Sequence, residues 1–123
     1  MSLYIGSTVV NVNDIDRAIK FWTAALGYVV RHADWDFAVL HHPTRPWSNL
    51  SLQLTNEPKR GLNRLHLDLY AGDQAAEVAR LEALGARRLP WNYPPDADFV
   101  VMADPDGNEF CVIDKPDGTF DKA

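Results

Sequence analysis

His66 and Asp68 stand two residues apart in the strictly alternating stretch Arg64 to Tyr70, so on a strand both side chains leave the same face. An imidazole beside a carboxylate suits proton transfer, because the carboxylate orients the ring and favours its charged form. His66 is therefore a candidate acid or base, or a ligand-orienting group, with Asp68 as its helper. The plain alternative is a histidine satisfied by hydrogen bonds beside an exposed strand carboxylate. Glu109 and Cys111 share strand parity in "NEFCVI" and leave one face together. Cys111 reads as a buried apolar thiol in that setting, and Glu109 as a carboxylate near the strand's mouth. His41 and His42 are adjacent and would point to opposite faces, so they cannot readily share an ion; His32 reads as exposed.

Aromatic residues form a second group. Trp35, Trp47, Trp91 and Tyr93 fall in or beside predicted loops, several next to Pro46, Pro90, Pro94 and Pro95. Such residues either pack on their own domain or wall a pocket, since large rigid rings bury much area at small entropic cost. Trp22 instead belongs to a helical stripe and is expected in the core. The chain has no Gly-rich phosphate loop, no Ser-His-Asp spacing and no nucleophile elbow.

The elements that must position these groups repeat. Leu3 to Val12 is strand-like, and Asn13 or Asp14 can cap the helix whose apolar stripe is Ile15, Ala18, Ile19, Trp22, Ala25 and Leu26. Gly27 is placed to end it in a left-handed conformation. Tyr28 to Val30, Asp36 to His41 and Asn49 to Thr55 then read as three strands, with the proline-bearing stretch 42–46 excluded from any ladder. Asn56 to Gly61 is a connector. After it Arg64 to Tyr70 gives a strand, Ala75 to Leu84 a helix ended by Gly85, and Ala86 to Leu89, Phe99 to Ala103 and Glu109 to Ile113 three more strands. The turn Asp104-Pro105-Asp106-Gly107 joins the last two. "AALG" (24–27) and "EALG" (82–85) end the two helices at matching points. The expected fold class is α+β, two βαβββ modules (about 3–56 and 63–114) within one domain. In it Leu50, Leu52 and Leu54, like Leu65, Leu67 and Leu69, lie under helices. The opposite faces, Ser51, Gln53 and Thr55 in one module and Arg64, His66 and Asp68 in the other, lie either in water or inside a cup formed by a curved mixed sheet.

The totals exclude several classes. With 123 residues the chain suits a single domain able to bury a core without staples. A net charge of −5 argues against general affinity for nucleic acid or anionic membrane, and the basic pairs Lys59-Arg60 and Arg87-Arg88 are too short to form a patch. The lone cysteine rules out an internal disulfide and fits a reducing compartment. No apolar run approaches the roughly 20 residues of a membrane span, and no secretory leader is visible, so cytoplasm is the expected location.

"NRLHLDLY" (63–70), "ARLEALGARRL" (79–89), "MADPDGNEFCVID" (102–114) and "NVNDIDRAIKFWTAALGY" (11–28) together resemble the glyoxalase-like and bleomycin-resistance-like branch of the vicinal-oxygen-chelate superfamily over nearly the whole chain. The resemblance implies paired βαβββ modules whose sheets form a cup, often in a homodimer. Many proteins of this plan hold a divalent metal that polarises a substrate oxygen; others bind a drug or metabolite without one. The family's ligand positions fall on Ser7, Gln53, His66 and Cys111, of which only His66 is the usual ligand type. No full metal site is therefore expected, and the cofactor stays open. Three functions compete: a metal-independent binder of an aromatic or antibiotic-like metabolite, with Ser7, Gln53 and His66 orienting it; a lyase or isomerase-type enzyme using His66, with or without a metal; and an interaction module presenting its loop tryptophans. The first two need His66 and Gln53 side by side in a concavity.

Overall fold

A computed structural model describes residues 5–61, 63 and 65–116. The chain divides into two compact units, Met1–Lys59 and Arg60–Ala123, at a boundary inside the connector. Each carries one four-stranded mixed sheet and one helix, giving an α+β fold of two βαβββ modules.

In the first unit the order is β1 (Ser7–Val12), α1 (Ile15–Leu26), β2 (Val29–Ala33), β3 (Phe37–His41) and β4 (Asn49–Leu54), with sheet order β1-β4-β3-β2. β1 and β4 run parallel, and the remaining pairs are antiparallel. Asp14 is the helix cap: its carboxylate accepts from the Arg17 N–H at 3.0 Å, satisfying one of the amides that the first turn leaves without a partner. Gly27 closes the helix at φ 69°, a conformation that a side chain would strain. The buried stripe is Ile15, Ala18, Phe21, Trp22 and Ala25. It differs from the predicted one by gaining Phe21, while Ile19 and Leu26 are only half-buried. The Phe21 and Trp22 rings meet edge to face at 4.9 Å, which draws the centre of the stripe toward Phe21. Under the helix lie Ala38, Leu40, Leu50 and Leu52, each at most 3% exposed, so the leucine face of β4 is the core face, as its alternation predicts.

The second unit repeats the order: β5 (Leu67–Ala71), α2 (Gln74–Ala83), β6 (Arg87–Arg88), β7 (Phe99–Ala103) and β8 (Glu109–Asp114), in sheet order β5-β8-β7-β6. β5 and β8 are parallel. Asp73 caps α2 by accepting from the Ala76 N–H at 3.1 Å. Val78 and Leu81 of α2, with Ala71, Met102, Phe110 and Val112, form this unit's core. β6 is only two residues long, because Pro90 cannot donate to a ladder.

The strand predicted from Arg64 starts later. β5 begins at Leu67, Arg64 lies outside the described residues, and His66 stands just before the strand. Leu65, expected under the helix, is 85% exposed: without a strand to enforce alternation, its parity carries no direction. Leu67 and Leu69 are half-buried.

The turn between β7 and β8 is built on Asp104, which is fully buried. Its Oδ1 accepts from the Asp106 N–H (2.9 Å) and the Asn108 N–H (2.8 Å), and its Oδ2 from the Asn108 side-chain amide (3.1 Å). The Gly107 N–H donates to the Asp104 carbonyl at 2.9 Å, and Gly107 takes φ 88°. No helix among the described residues is long and apolar enough to cross a membrane.

Candidate functional site

The parallel pairing of β5 with β8 and the antiparallel pairing of β7 with β8 put Asp68, Cys111 and Val101 in one row across three strands. Phe110 and Val112 turn to the core, so Glu109, Cys111 and Ile113 turn the other way. On that face lies a cavity of about 390 Å³, lined by Asn63, His66, Asp68, Glu109 and Cys111 on its polar side, and by Trp91, Phe99, Val101 and Ile113 on its apolar side. Its size and its mixture of apolar wall and few polar groups are those of a small-molecule site, for which roughly 300–1,000 Å³ is usual.

His66 Nε2 lies 3.1 Å from Asp68 Oδ1, each side chain about half-exposed. One ligand atom from each of His66, Asp68 and Cys111 can be chosen so that all lie within 4.8 Å of one another. Glu109 is not simply solvated at a strand mouth. Its Oε1 accepts from the Asn63 N–H at 2.8 Å, and its carbonyl accepts from the Asn63 side-chain amide at 3.0 Å, which ties the segment before β5 to the start of β8. Cys111 lines the cavity and is half-buried. Burial pushes its thiol pKa up, and the neighbouring Asp68 and Glu109 carboxylates push it further in the same direction.

The segment that carries Trp91 is anchored to β7 on both sides of it. With β6 ended before Pro90, the Leu89 N–H still bonds the Val101 carbonyl at 3.0 Å, and the Val101 N–H donates to the Tyr93 hydroxyl at 2.9 Å. The Tyr93 ring packs on Phe99 with centroids 5.3 Å apart. Tyr93 thus stands in for the missing strand partner and braces the wall that Trp91 and Phe99 form. Tyr93→Phe keeps the ring and removes the acceptor, so it is expected to cost about 1 kcal/mol. Amide hydrogen exchange between Leu89 and Asp98 should accelerate; unchanged exchange would remove Tyr93 from this role.

Ser7, Gln53, Trp35 and Trp47 belong to the first unit. Ser7 Oγ is bonded to Ser51 Oγ at 2.6 Å, and Gln53 is exposed on β4. Trp35 is 81% exposed, in the turn between β2 and β3. Trp47 packs its ring on His42 at 4.6 Å, with the Arg45 guanidinium 5.5 Å above it. His42 Nδ1 accepts from the Thr44 and Arg45 N–H groups, so His42 organises its loop, while His41 ends β3. His32 is exposed, paired with Asp34 at 2.9 Å.

Asn63, Phe99, Val101 and Ile113 are cavity residues that sequence reasoning did not single out. Parity with Cys111 on β8 marks Ile113, and pairing across to β7 marks Val101 and Phe99; Asn63, in an irregular segment, has no such signal.

The donor set also bears on a metal. Imidazole nitrogen, carboxylate oxygen and thiolate sulfur are the types that hold a zinc-like divalent ion with one position open, and here one group of each kind lies within reach of the others, although the raised Cys111 pKa disfavours its thiolate. Two of the three, His66 and Cys111, fall on family ligand positions; Asp68 adds a donor that the resemblance did not supply.

No curated protein is matched by sequence. Solved structures are matched in fold. A glyoxalase-related enzyme from Fulvimarina pelagi is 17% identical, with TM-score 0.68, over 92% of this chain and 88% of that one. The bleomycin-binding protein of Streptomyces verticillus, complexed with copper(II)-bleomycin, is 17% identical, with TM-score 0.63, over 94% and 98%. The fosfomycin resistance protein FosX of Listeria monocytogenes is 11% identical, with TM-score 0.74, over 94% and 93%. At such identities these likenesses speak for the fold alone. Residues 7–113 match the model of the glyoxalase-like domain, and with both βαβββ modules in place the chain belongs to that family.

Proposed function

We propose that this protein binds a small aromatic or antibiotic-like metabolite and holds it without needing a metal. The observation that carries the reading is the second unit's cavity, where Trp91, Phe99 and Ile113 offer apolar area and His66, Asp68 and Glu109 offer fixed polar contacts. His66 and Asp68 already pair at 3.1 Å, so no ion is required to hold them in place. Ser7, Gln53, Trp35 and Trp47 stay candidate ligand contacts of the first unit taken by itself. The bleomycin-binding neighbour supports an antibiotic-like ligand by fold analogy. A cytoplasmic homodimer completes the proposal, and light scattering of the purified protein checks its oligomeric state.

Trp91 on the cavity wall makes binding observable. Titration with a panel of aromatic metabolites and antibiotics is expected to quench tryptophan fluorescence saturably. His66→Ala should weaken that binding about tenfold, the equivalent of one hydrogen bond of roughly 1.4 kcal/mol. Affinity unchanged in His66→Ala would remove His66 from the site, and a panel without saturable binding would remove the small-molecule reading.

The His66–Asp68 pair also favours a second reading, a lyase or isomerase-type enzyme. There Asp68 orients the imidazole, and His66 takes or gives a proton at a carbon or oxygen beside a substrate carbonyl. The apolar wall would shield that step from water. In a metal-using version His66, Asp68 and Cys111 would hold the ion, whose chemistry is to polarise a bound oxygen. Metal analysis of protein purified without chelators separates the versions, because occupancy near one ion per chain would overturn the metal-independent reading.

A further inference from the structure

Residues 43–48, between β3 and β4, make no backbone–backbone hydrogen bond among the described residues. Pro43 and Pro46 bring no N–H to such bonds. Side chains close this loop instead. At its start, His42 Nδ1 accepts from the Thr44 N–H at 3.1 Å and from the Arg45 N–H at 2.9 Å. At its end, the Tyr28 hydroxyl donates to the Ser48 carbonyl at 2.8 Å, and Ser48 Oγ donates to the Ile5 carbonyl at 3.2 Å. The arrangement at His42 is that of an Asx turn, with a ring nitrogen where Asn or Asp would offer an oxygen.

That exchange matters because of the proton. A backbone N–H can only donate, so both bonds need the lone pair of an unprotonated Nδ1, with the ring's one proton on Nε2. A carboxamide oxygen keeps its lone pairs throughout, whereas imidazoles ordinarily take up a second proton between about pH 8 and pH 5. Placed on Nδ1, that proton would set three N–H donors against one another. Thr44 Oγ1, 3.5 Å from the same nitrogen, could accept from it, but the two amides would still lose their acceptor.

The groups facing the ring do not reverse this balance. Tyr28 presents its ring at 6.0 Å, and burial raises its hydroxyl pKa, so it stays neutral. The Trp47 ring, 4.6 Å away, attracts a cationic imidazole, yet the Arg45 guanidinium already sits 5.5 Å above that ring and repels a second charge. One exposed ring contact is worth less than two amide hydrogen bonds together with the donor repulsion.

We propose that His42 is a pH-sensitive latch on the 42–48 loop: the neutral ring holds the loop closed, and the protonated ring releases it together with Trp47 and Arg45. The sign follows from the bonds. Closure is complete with the imidazole neutral, is lost as pH falls, and returns when the proton leaves. The latch acts within the first unit, so it stands or falls separately from what the second unit's cavity binds.

NMR of the full chain tests it, reading the His42 ring nitrogens and the solvent exchange of single amides, corrected for the intrinsic effect of pH. At about pH 8 the Nδ1 resonance should be that of an unprotonated acceptor, and the Thr44 and Arg45 amides should be protected. At about pH 5 their protection should fall about tenfold, the factor carried by roughly 1.4 kcal/mol. His42→Asn places Oδ1 where Nδ1 stood, so both amides should stay protected across the range; His42→Ala should leave both unprotected throughout. Ala38 and Leu40, on the inner strand β3, should keep their protection in all three proteins, which separates loop release from unfolding. Thr44 and Arg45 protection that does not change with pH in the parent chain overturns the latch. An equal pH response in His42→Asn, or loss of β3 protection along with the loop, overturns it as well.

Discussion

Trp22→Ala is expected to remove about 3–5 kcal/mol of stability, the usual range for deleting a large aromatic side chain from a packed core. Trp22 is 1% exposed and sits at the centre of the α1 stripe, edge-on to Phe21 and above the β3 and β4 side chains Ala38, Leu40, Leu50 and Leu52. Alanine would leave a void that neither a helix fixed by Asp14 and Gly27 nor a hydrogen-bonded sheet can collapse to fill. Typical domains have only about 5–15 kcal/mol in reserve, so this loss is a large part of the total. Urea unfolding followed by far-ultraviolet dichroism measures it. A midpoint close to that of the parent chain would mean that α1 is not seated on its sheet through Trp22.

Asp104→Ala is expected to cost about 3 kcal/mol or more, although it removes few atoms. Asp104 is fully buried and accepts from two backbone amides and one side-chain amide within the 104–108 turn. Hydrogen bonds to a charged acceptor contribute roughly 1.5–3 kcal/mol each, and deletion leaves the Asp106 and Asn108 N–H groups without this partner in a site that water cannot fill freely. Asp104→Asn retains an Oδ1 acceptor and should cost about half as much. The same turn fixes where β8 begins, hence where Glu109 and Cys111 face the cavity, so ligand quenching of fluorescence should weaken along with stability. Equal stability of the alanine variant and the parent would show that the turn holds its shape through the backbone alone.

Much of this architecture was legible because its signals are local. Alternation in Asn49 to Thr55 named Leu50 and Leu52 correctly as buried, with Leu54 only half-buried, the glycines at 27 and 85 marked the helix ends, and the Asp-Pro-Asp-Gly segment marked the turn. The errors arose where locality fails. Leu65 follows the same alternation as Leu67 and Leu69, yet it lies before β5, and no strand neighbour sets its direction. Phe21 joined the core because a ring can reach sideways from the edge of a stripe, which a period count does not register. At the site, parity put Glu109 with Cys111 and His66 with Asp68. What it could not give was the register of β5 against β8, which brings the two pairs to one cavity. Tyr93 was legible as a loop aromatic but not as a brace, because its partner is a backbone amide of β7 that the early end of β6 leaves available.

In each unit the first strand lies alongside the last: β1 beside β4, and β5 beside β8. Neither parallel pair can zip up before the intervening helix and hairpin have emerged and turned back. The slowest event in assembling either unit is therefore the closure of its longest loop, and folding should be slower than for a helical bundle of the same length. During synthesis β1 must wait for β4, and β5 for β8, so each leading strand spends that interval as an open edge that a chaperone or a neighbouring chain can capture.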